Sequence, residues 1–433
     1  MLKILNWQNL PASDKKQHLA RVAPAGNVKA ATLEIISEVR ERGDAALLEL
    51  TKKFDGVALN SLIVSPEELQ AAATTKETEE ALRLAIQTIT QYHEAVLPQA
   101  VQVKTAKGVV IDRVYRPIQR VGLYVPGGRQ TPLISSVLMQ AIPARIAGCP
   151  VRVLCTPPNN EGELDPNLLV AARLCGIETI YKMGGAQAIA AMAYGTETIP
   201  KVDKIFGPGN AYVTEAKTLV SLDFEGAAID MPAGPSEVMV LADDQANPSF
   251  VAADLLAQAE HGPDSQVICI CDSSVFAQKV LEAVIEQTKN LSRNAIIQKS
   301  LAYGSIIICP DRTEQLSIIN TYAPEHLIIN REEAQKWVEE IHSAGTIFLG
   351  PYAPETLGDY VTGSNHVLPT NGYARQYQGL STVDFLKAIS VQFINDEGIK
   401  ALGPAAFLLA NLEGLDAHAN AVQVRLSTLG EMV

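Results

Sequence analysis

Aromatic side chains make up only 5% of this 433-residue chain. They do not interleave with Lys and Arg, so the stacking platform of a single-strand nucleic-acid binder is missing. Basic charge is short as well: 35 Lys and Arg stand against 48 Asp and Glu, and the net charge of −13 disfavours non-specific attraction to nucleic acid. No apolar run reaches membrane-spanning length, and Met1-Leu-Lys-Ile-Leu-Asn-Trp7 passes into polar residues without a signal-peptide core. The expectation is a cytoplasmic protein with neither nucleic acid nor membrane as partner. None of the six cysteines (149, 155, 175, 269, 271 and 309) forms a CxxC pair, and several lie in apolar runs such as Val267-Ile-Cys-Ile-Cys-Asp272. Buried, reduced thiols are expected; the alternative, a catalytic cysteine, has no His near any of the six in sequence.

What is present suits an ordinary soluble globular protein. At 433 residues and 47% hydrophobic content the chain is too long for one core and rich enough to fill two. Residues 28–54 read as one amphipathic helix carrying Leu33, Ile36, Val39, Leu47 and Leu50, with more helix through about residue 97. From Val109 short β-branched runs alternate with helical patterns, which means a parallel α/β fold. One series contains strand Val151–Cys155, helix Asn167–Cys175, strand Thr179–Met183, helix Ala186–Tyr194, strand Lys204–Phe206 and helix Ala211–Val220. A second contains strand Glu237–Ala242, helix 248–261, strand 265–271, helix 274–289, strand 305–309, helix 331–344 and strand Thr346–Leu349. Two stacked α/β units follow, then a polar loop region to about residue 380 and a helical tail too small to fold alone.

Three strand ends share a theme: Val125-Pro-Gly-Gly128, Met183-Gly-Gly185 and Phe206-Gly-Pro-Gly209. Glycine there lets backbone N–H groups approach an anion at a helix N-terminus, although each is equally a tight strand-to-helix turn, and none matches G-x-G-x-x-G. Only seven histidines occur, and four sit in polar motifs: Gln258-Ala-Glu-His261-Gly-Pro, Pro324-Glu325-His326, Ser364-Asn-His366 and Asp416-Ala-His418. Gln258 and His261, three apart at a helix end, share one face. A lone helical His is more often a satisfied structural residue, but a neighbouring amide, with Asp359 and His418 available from polar segments, makes an N/O donor set suited to zinc. Glu325 and His326, side by side, suit two proton transfers at different moments; the same tripeptide also suits a Pro-started helical turn. His18, His93 and His342 read as solvated.

The runs VGLYVPGG (121–128), GGAQAIAA (184–191), KVDKIFGPGNAYVTEAK (201–217), DMPAGPSEVMVLAD (230–243), LLAQAEHGPDSQV (255–267), APEHL (323–327), GDYVTGSNHVLPT (358–370) and LEGLDAHANAVQVR (412–425) closely resemble the histidinol dehydrogenases, in order and over nearly the whole chain. The resemblance implies a homodimeric enzyme that oxidises L-histidinol to L-histidine through histidinal, with Zn2+ and two NAD+ per turnover. It implies zinc on Gln258, His261, Asp359 and His418. Substrate contacts would come from those four together with Ser236, His326, His366 and Glu413, and NAD contacts from Tyr124, Gln187 and Asn210. Glu325 and His326 would be catalytic. Glu413 and His418 would reach the neighbouring subunit's site. The implied fold is two stacked incomplete Rossmann-like domains, with residues 23–121 and 236–380 as the zinc and substrate domain and 122–235 as the NAD domain. Residues 1–22 would be an N-terminal extension and 381–433 a C-terminal dimerisation segment, both helical and packed on the partner. The rival reading is a dehydrogenase of the same fold acting on another small alcohol; a zinc hydrolase would leave the glycine-rich strand ends without a purpose.

Overall fold

The computed structural model describes residues 2–21, 28–127, 132–232 and 234–431. Gly128 of the first glycine-rich strand end and the domain boundary drawn between residues 22 and 23 lie outside them.

Two parallel sheets carry the fold. The larger has six strands in the order Lys3–Asn6, Ser305–Ile308, Gln266–Cys271, Glu237–Ala242, His326–Asn330, Thr346–Leu349, every neighbour parallel. Its central strands Glu237–Ala242 and Gln266–Cys271 are buried at every position, as a sheet with helices on both faces requires. Val238, Val240, Val267 and Cys269 pack with helices Pro248–Ala259 and Ser274–Thr288 on one face. Met239, Leu241, Ile268 and Ile307 pack with helix Arg312–Tyr322, Trp7 and Trp337 on the other. The second sheet has five strands in the order Thr179–Lys182, Val151–Thr156, Arg120–Tyr124, Lys204–Phe206, Ala228–Ile229, again all parallel.

Several expectations change. The amphipathic stretch 28–54 is two helices, Lys29–Arg42 and Asp44–Phe54, because Gly43 turns the chain at φ 53°. Residues 331–344 hold only a 3-10 stretch, Ala334–Glu340. Strand His326–Asn330 and helix Arg312–Tyr322 were not foreseen, since a five-residue run behind a proline looks like loop. The run from Val109 is antiparallel at first: Val101–Ala106, Val109–Pro117 and Leu386–Ile394 form a separate three-stranded sheet, so the tail begins as a strand before helices Asp396–Leu412 and Asp416–Thr428.

Packing also redraws the domain limits. The helices between residues 29 and 95, assigned with 236–380 by sequence, pack on the five-stranded sheet: Ile36, Val39, Leu47 and Leu50 join Val153 and Ile189, while Ile89 joins Leu123 and Ile142. The N-terminal segment is not a free extension, because Lys3–Asn6 is an edge strand of the six-stranded sheet in its own chain. No helix among the described residues is long and apolar enough to cross a membrane.

Candidate active site

The carboxyl edge of the small sheet meets the amino edge of the large one. Only residues 230–236 separate strand Ala228–Ile229 from strand Glu237–Ala242, so the chain leaves one sheet at its carboxyl end and enters the other at its amino end. Ligands of open parallel sheets usually sit at carboxyl ends. Here Glu237 and His326 are the first residues of their strands, and Glu325 immediately precedes His326. Helix Pro248–Ala259 runs back to the same edge and delivers Gln258 from its last turn. Helix Glu355–Tyr360 brings Glu355 and Asp359, four residues apart, onto one face.

His326 is the centre of this cluster and is buried. Its Nδ1 lies 3.2 Å from the Glu237 carbonyl oxygen, 3.7 Å from Glu325 Oε2 and 3.8 Å from Glu355 Oε2. Its Nε2, 3.6 Å from Asp359 Oδ1, is buried without a hydrogen-bond partner. With one proton on Nδ1 facing the Glu237 carbonyl, Nε2 is the nitrogen that gains and loses the second proton. The Glu237 backbone N–H donates to Glu325 Oε2 at 2.8 Å. With its amide oriented to satisfy its neighbours, Gln258 donates to the Glu355 carboxylate, 3.0 Å from Oε2, and accepts from the Glu237 N–H at 3.1 Å. His366 Nδ1 lies 2.9 Å from the Asp359 carbonyl oxygen, and its Nε2 lies 3.4 Å from Ser136 Oγ on the helix that follows Arg120–Tyr124.

Burial sets the charges. It pushes the Glu325 carboxyl up to about 8 and Asp254 up to about 7, and raises Glu355 as well. Burial alone would lower the His326 imidazole, but the Glu355, Glu325 and Asp359 carboxylates outweigh it and raise it to about 10. Asp359 is held below its usual range: burial opposes this, and the His326 ring overcomes it. Three carboxyl groups around one imidazole can hold and exchange protons, and the repulsion between carboxylates that helps raise Glu325 and Glu355 would be relieved by a cation. His326, Glu355 and Asp359 offer ligand atoms within 4.8 Å of one another, so the donor chemistry fits a divalent metal.

Of the sequence-predicted residues, Gln258, Glu325, His326, Asp359 and His366 come together, and half-buried Ser236 adjoins Glu237. His261 stands exposed just past the helix end, its ring within electrostatic reach of Asp359, His326 and His366. Glu413 and His418 do not join them within one chain: both are exposed on the C-terminal helix pair, which packs chiefly on itself and on the three-stranded sheet. Tyr124, Gln187 and Asn210 lie along the carboxyl edge of the five-stranded sheet. The Tyr124 hydroxyl accepts from Gly185 N–H at 3.1 Å, buried Gln187 is in the first turn of the next helix, and Asn210 caps helix Ala211–Leu222. Sequence reading missed Glu237 and Glu355; the spacing of Glu355 to Asp359 was its only signal. It also misread His93, which is buried. The thiols match expectation: all six cysteines are buried, and burial raises Cys149 and Cys309 to about 11 and Cys175 to about 12.

A desolvated imidazole ringed by carboxyl groups, set where two parallel sheets meet, is an arrangement that can hold and exchange protons, as the site of an α/β enzyme would. The sequence profile of the histidinol dehydrogenases matches residues 20–426. The chain is 62% identical over 431 residues to the histidinol dehydrogenase of Legionella pneumophila strain Philadelphia 1, covering 100% of both chains. It is 50% identical over 432 residues to that of Vibrio parahaemolyticus, covering 99% of each. The crystal structure of histidinol dehydrogenase from Elizabethkingia anophelis superposes with a TM-score of 0.95 at 44% identity, covering 100% of this chain and 99% of that one. The chain belongs to the histidinol dehydrogenase family, and it is an oxidoreductase.

Proposed function

We propose that this enzyme oxidises L-histidinol to L-histidine through histidinal, the last step of L-histidine biosynthesis, using zinc and two NAD+ in succession. The observation that carries the reading is the joining of buried Glu325, His326 and Gln258 with half-buried Asp359 in one cluster, in a chain with full-length family relatives. Gln258, His261 and Asp359 would hold the metal, with His418 from a second copy. When bound, zinc supplies a Lewis-acid anchor for the substrate's imidazole and amine. In its neutral form, His326 takes the alcohol proton at Nε2 as a hydride leaves the carbinol carbon for the first NAD+, giving the aldehyde. Glu325 then takes a proton from water as it adds to the aldehyde while His326 returns its own proton to the carbonyl oxygen, which gives the hydrate and frees Nε2. His326 then takes a hydroxyl proton from the hydrate as the second hydride leaves, giving the carboxylic acid. Ser236, His366 and Glu413 orient the substrate, and Tyr124, Gln187 and Asn210 hold NAD. The exposed Leu408, Leu409, Leu412 and Leu415 on the C-terminal helix pair support a homodimer in which that pair, with Glu413 and His418, is covered by a partner. The deciding measurement is NADH formed per histidinol consumed, with and without a chelator. Two per substrate, lost on metal removal and restored by zinc, is expected; turnover of another alcohol but not histidinol would refute the assignment.

A further inference from the structure

The pair formed by half-buried Arg21 and buried Glu237 has no part in the chemistry above, yet it joins three of the segments around the acid–base residues. The Arg21 guanidinium grips Glu237 through both carboxylate oxygens, Nε to Oε1 at 2.5 Å and Nη2 to Oε2 at 2.9 Å. Its Nη2 also donates to the carbonyls of Tyr322 at 2.6 Å and Ala323 at 3.3 Å, and the group stacks 4.1 Å from the Tyr322 ring. Those carbonyls close helix Arg312–Tyr322, where a cation is favoured, and Ala323 turns into the left-handed region at φ 54° two residues before Glu325. Glu237 Oε1 further accepts the Asn371 N–H at 3.0 Å, from the loop that follows His366. The main chain of Glu237 is the platform for both acid–base side chains, its N–H on Glu325 and its carbonyl on His326 Nδ1.

We infer that Arg21 is a positioning residue: it clamps the entrances of the neighbouring strands Glu237–Ala242 and His326–Asn330 together, and so sets the relative placement of Glu325 and His326. Anchoring of the N-terminal arm does not account for it. That arm is already held by strand Lys3–Asn6, by buried Trp7 and by the Lys15–Glu314 pair. A planar fork that reaches a carboxylate and two carbonyls at once is work for arginine and not for lysine. The inference rests on the roles given above to Glu325 and His326. Their failure would show in the unsubstituted enzyme, as no NADH from histidinol, before any variant is made.

The test is steady-state kinetics of Arg21→Met and Arg21→Lys with zinc bound, fold checked by circular dichroism and melting. A slack of about 1 Å at the base costs up to about 100-fold in rate. Arg21→Met is therefore expected to lose about 10- to 100-fold in kcat, with KM for histidinol and NAD+ within twofold and Arg21→Lys between it and the parent. A folded Arg21→Met with parental kcat overturns the inference, as does a rise in KM at constant kcat, which would assign Arg21 to binding. If Arg21→Met does not fold, Arg21→Lys decides by the same split: lower kcat at constant KM supports the clamp, and parental kcat removes it.

Discussion

His93 should act as an acid trigger for the loop that carries His366. Its ring is buried, with Nε2 3.3 Å from the Asn365 amide nitrogen and Nδ1 3.4 Å from Thr382 Oγ1. Thr382 gives its hydroxyl proton to the His93 carbonyl at 2.9 Å, so Nδ1–H must donate to Thr382 and Nε2 must accept from Asn365. A proton on Nε2 would face the Asn365 amide donor in a desolvated site, and burial lowers this histidine from 6.5 to about 4. Tenfold in proton affinity is about 1.4 kcal/mol, so the neutral ring is worth about 3 kcal/mol to the folded state. The unfolded chain binds the proton from about pH 6.5 downward and the folded chain only near 4. The contribution is therefore complete above pH 6.5 and is lost as the pH falls towards 4, by about 2 kcal/mol at pH 5. His93→Gln offers the same donor and acceptor without a titrating group. Urea unfolding of parent and variant at pH 7 and pH 5 isolates the histidine, because all other titrations are shared. The parent should lose about 2 kcal/mol more than the variant between the two pH values; parallel losses would refute both the tautomer and the burial argument.

Three further outcomes follow from particular contacts. Glu325→Gln should slow oxidation of histidinal by about 10²- to 10⁴-fold while harming the alcohol step less, read by supplying each substrate separately; equal losses would end the division of labour between Glu325 and His326. Lys217→Met strands the buried Asp230 carboxylate, which also accepts the Gly207 and Met231 N–H groups, and should cost about 3–5 kcal/mol in thermal unfolding, partly recovered by adding Asp230→Asn. Gly207→Ala should lower the melting temperature sharply, because φ is 114° and a Cβ there would collide with the Tyr124 carbonyl oxygen; an unchanged melt would mean that the strand end is free to shift.

Much of the fold was legible because parallel strands buried on both faces leave continuous apolar runs such as Glu237–Ala242 and Gln266–Cys271, and because glycine marks where each strand turns into its helix. The pair proposed as acid and base was legible as two adjacent polar residues with few other histidines to compete. Long-range pairing was not. Leu386–Ile394 finds Val109–Pro117 across some 270 residues of chain, and Lys3–Asn6 finds Ser305–Ile308 across about 300, with no local signal for either. His93 looked solvated because a polar helix sequence does not reveal that Asn365 and Thr382 will cover it.

The sequence by itself determined the alternation of strand and helix, the residue types able to move protons or hold a metal, and the family. Tertiary structure alone decided that the amino edge of one sheet meets the carboxyl edge of the other, and that Glu237, which no motif singled out, holds Glu325 and His326 by its backbone. Periodicity records which face of an element is buried, but strand order and the direction of a crossover are settled only when distant segments pack. The same packing turned Arg21, an unremarked cation in an N-terminal arm, into the clamp proposed for the pair.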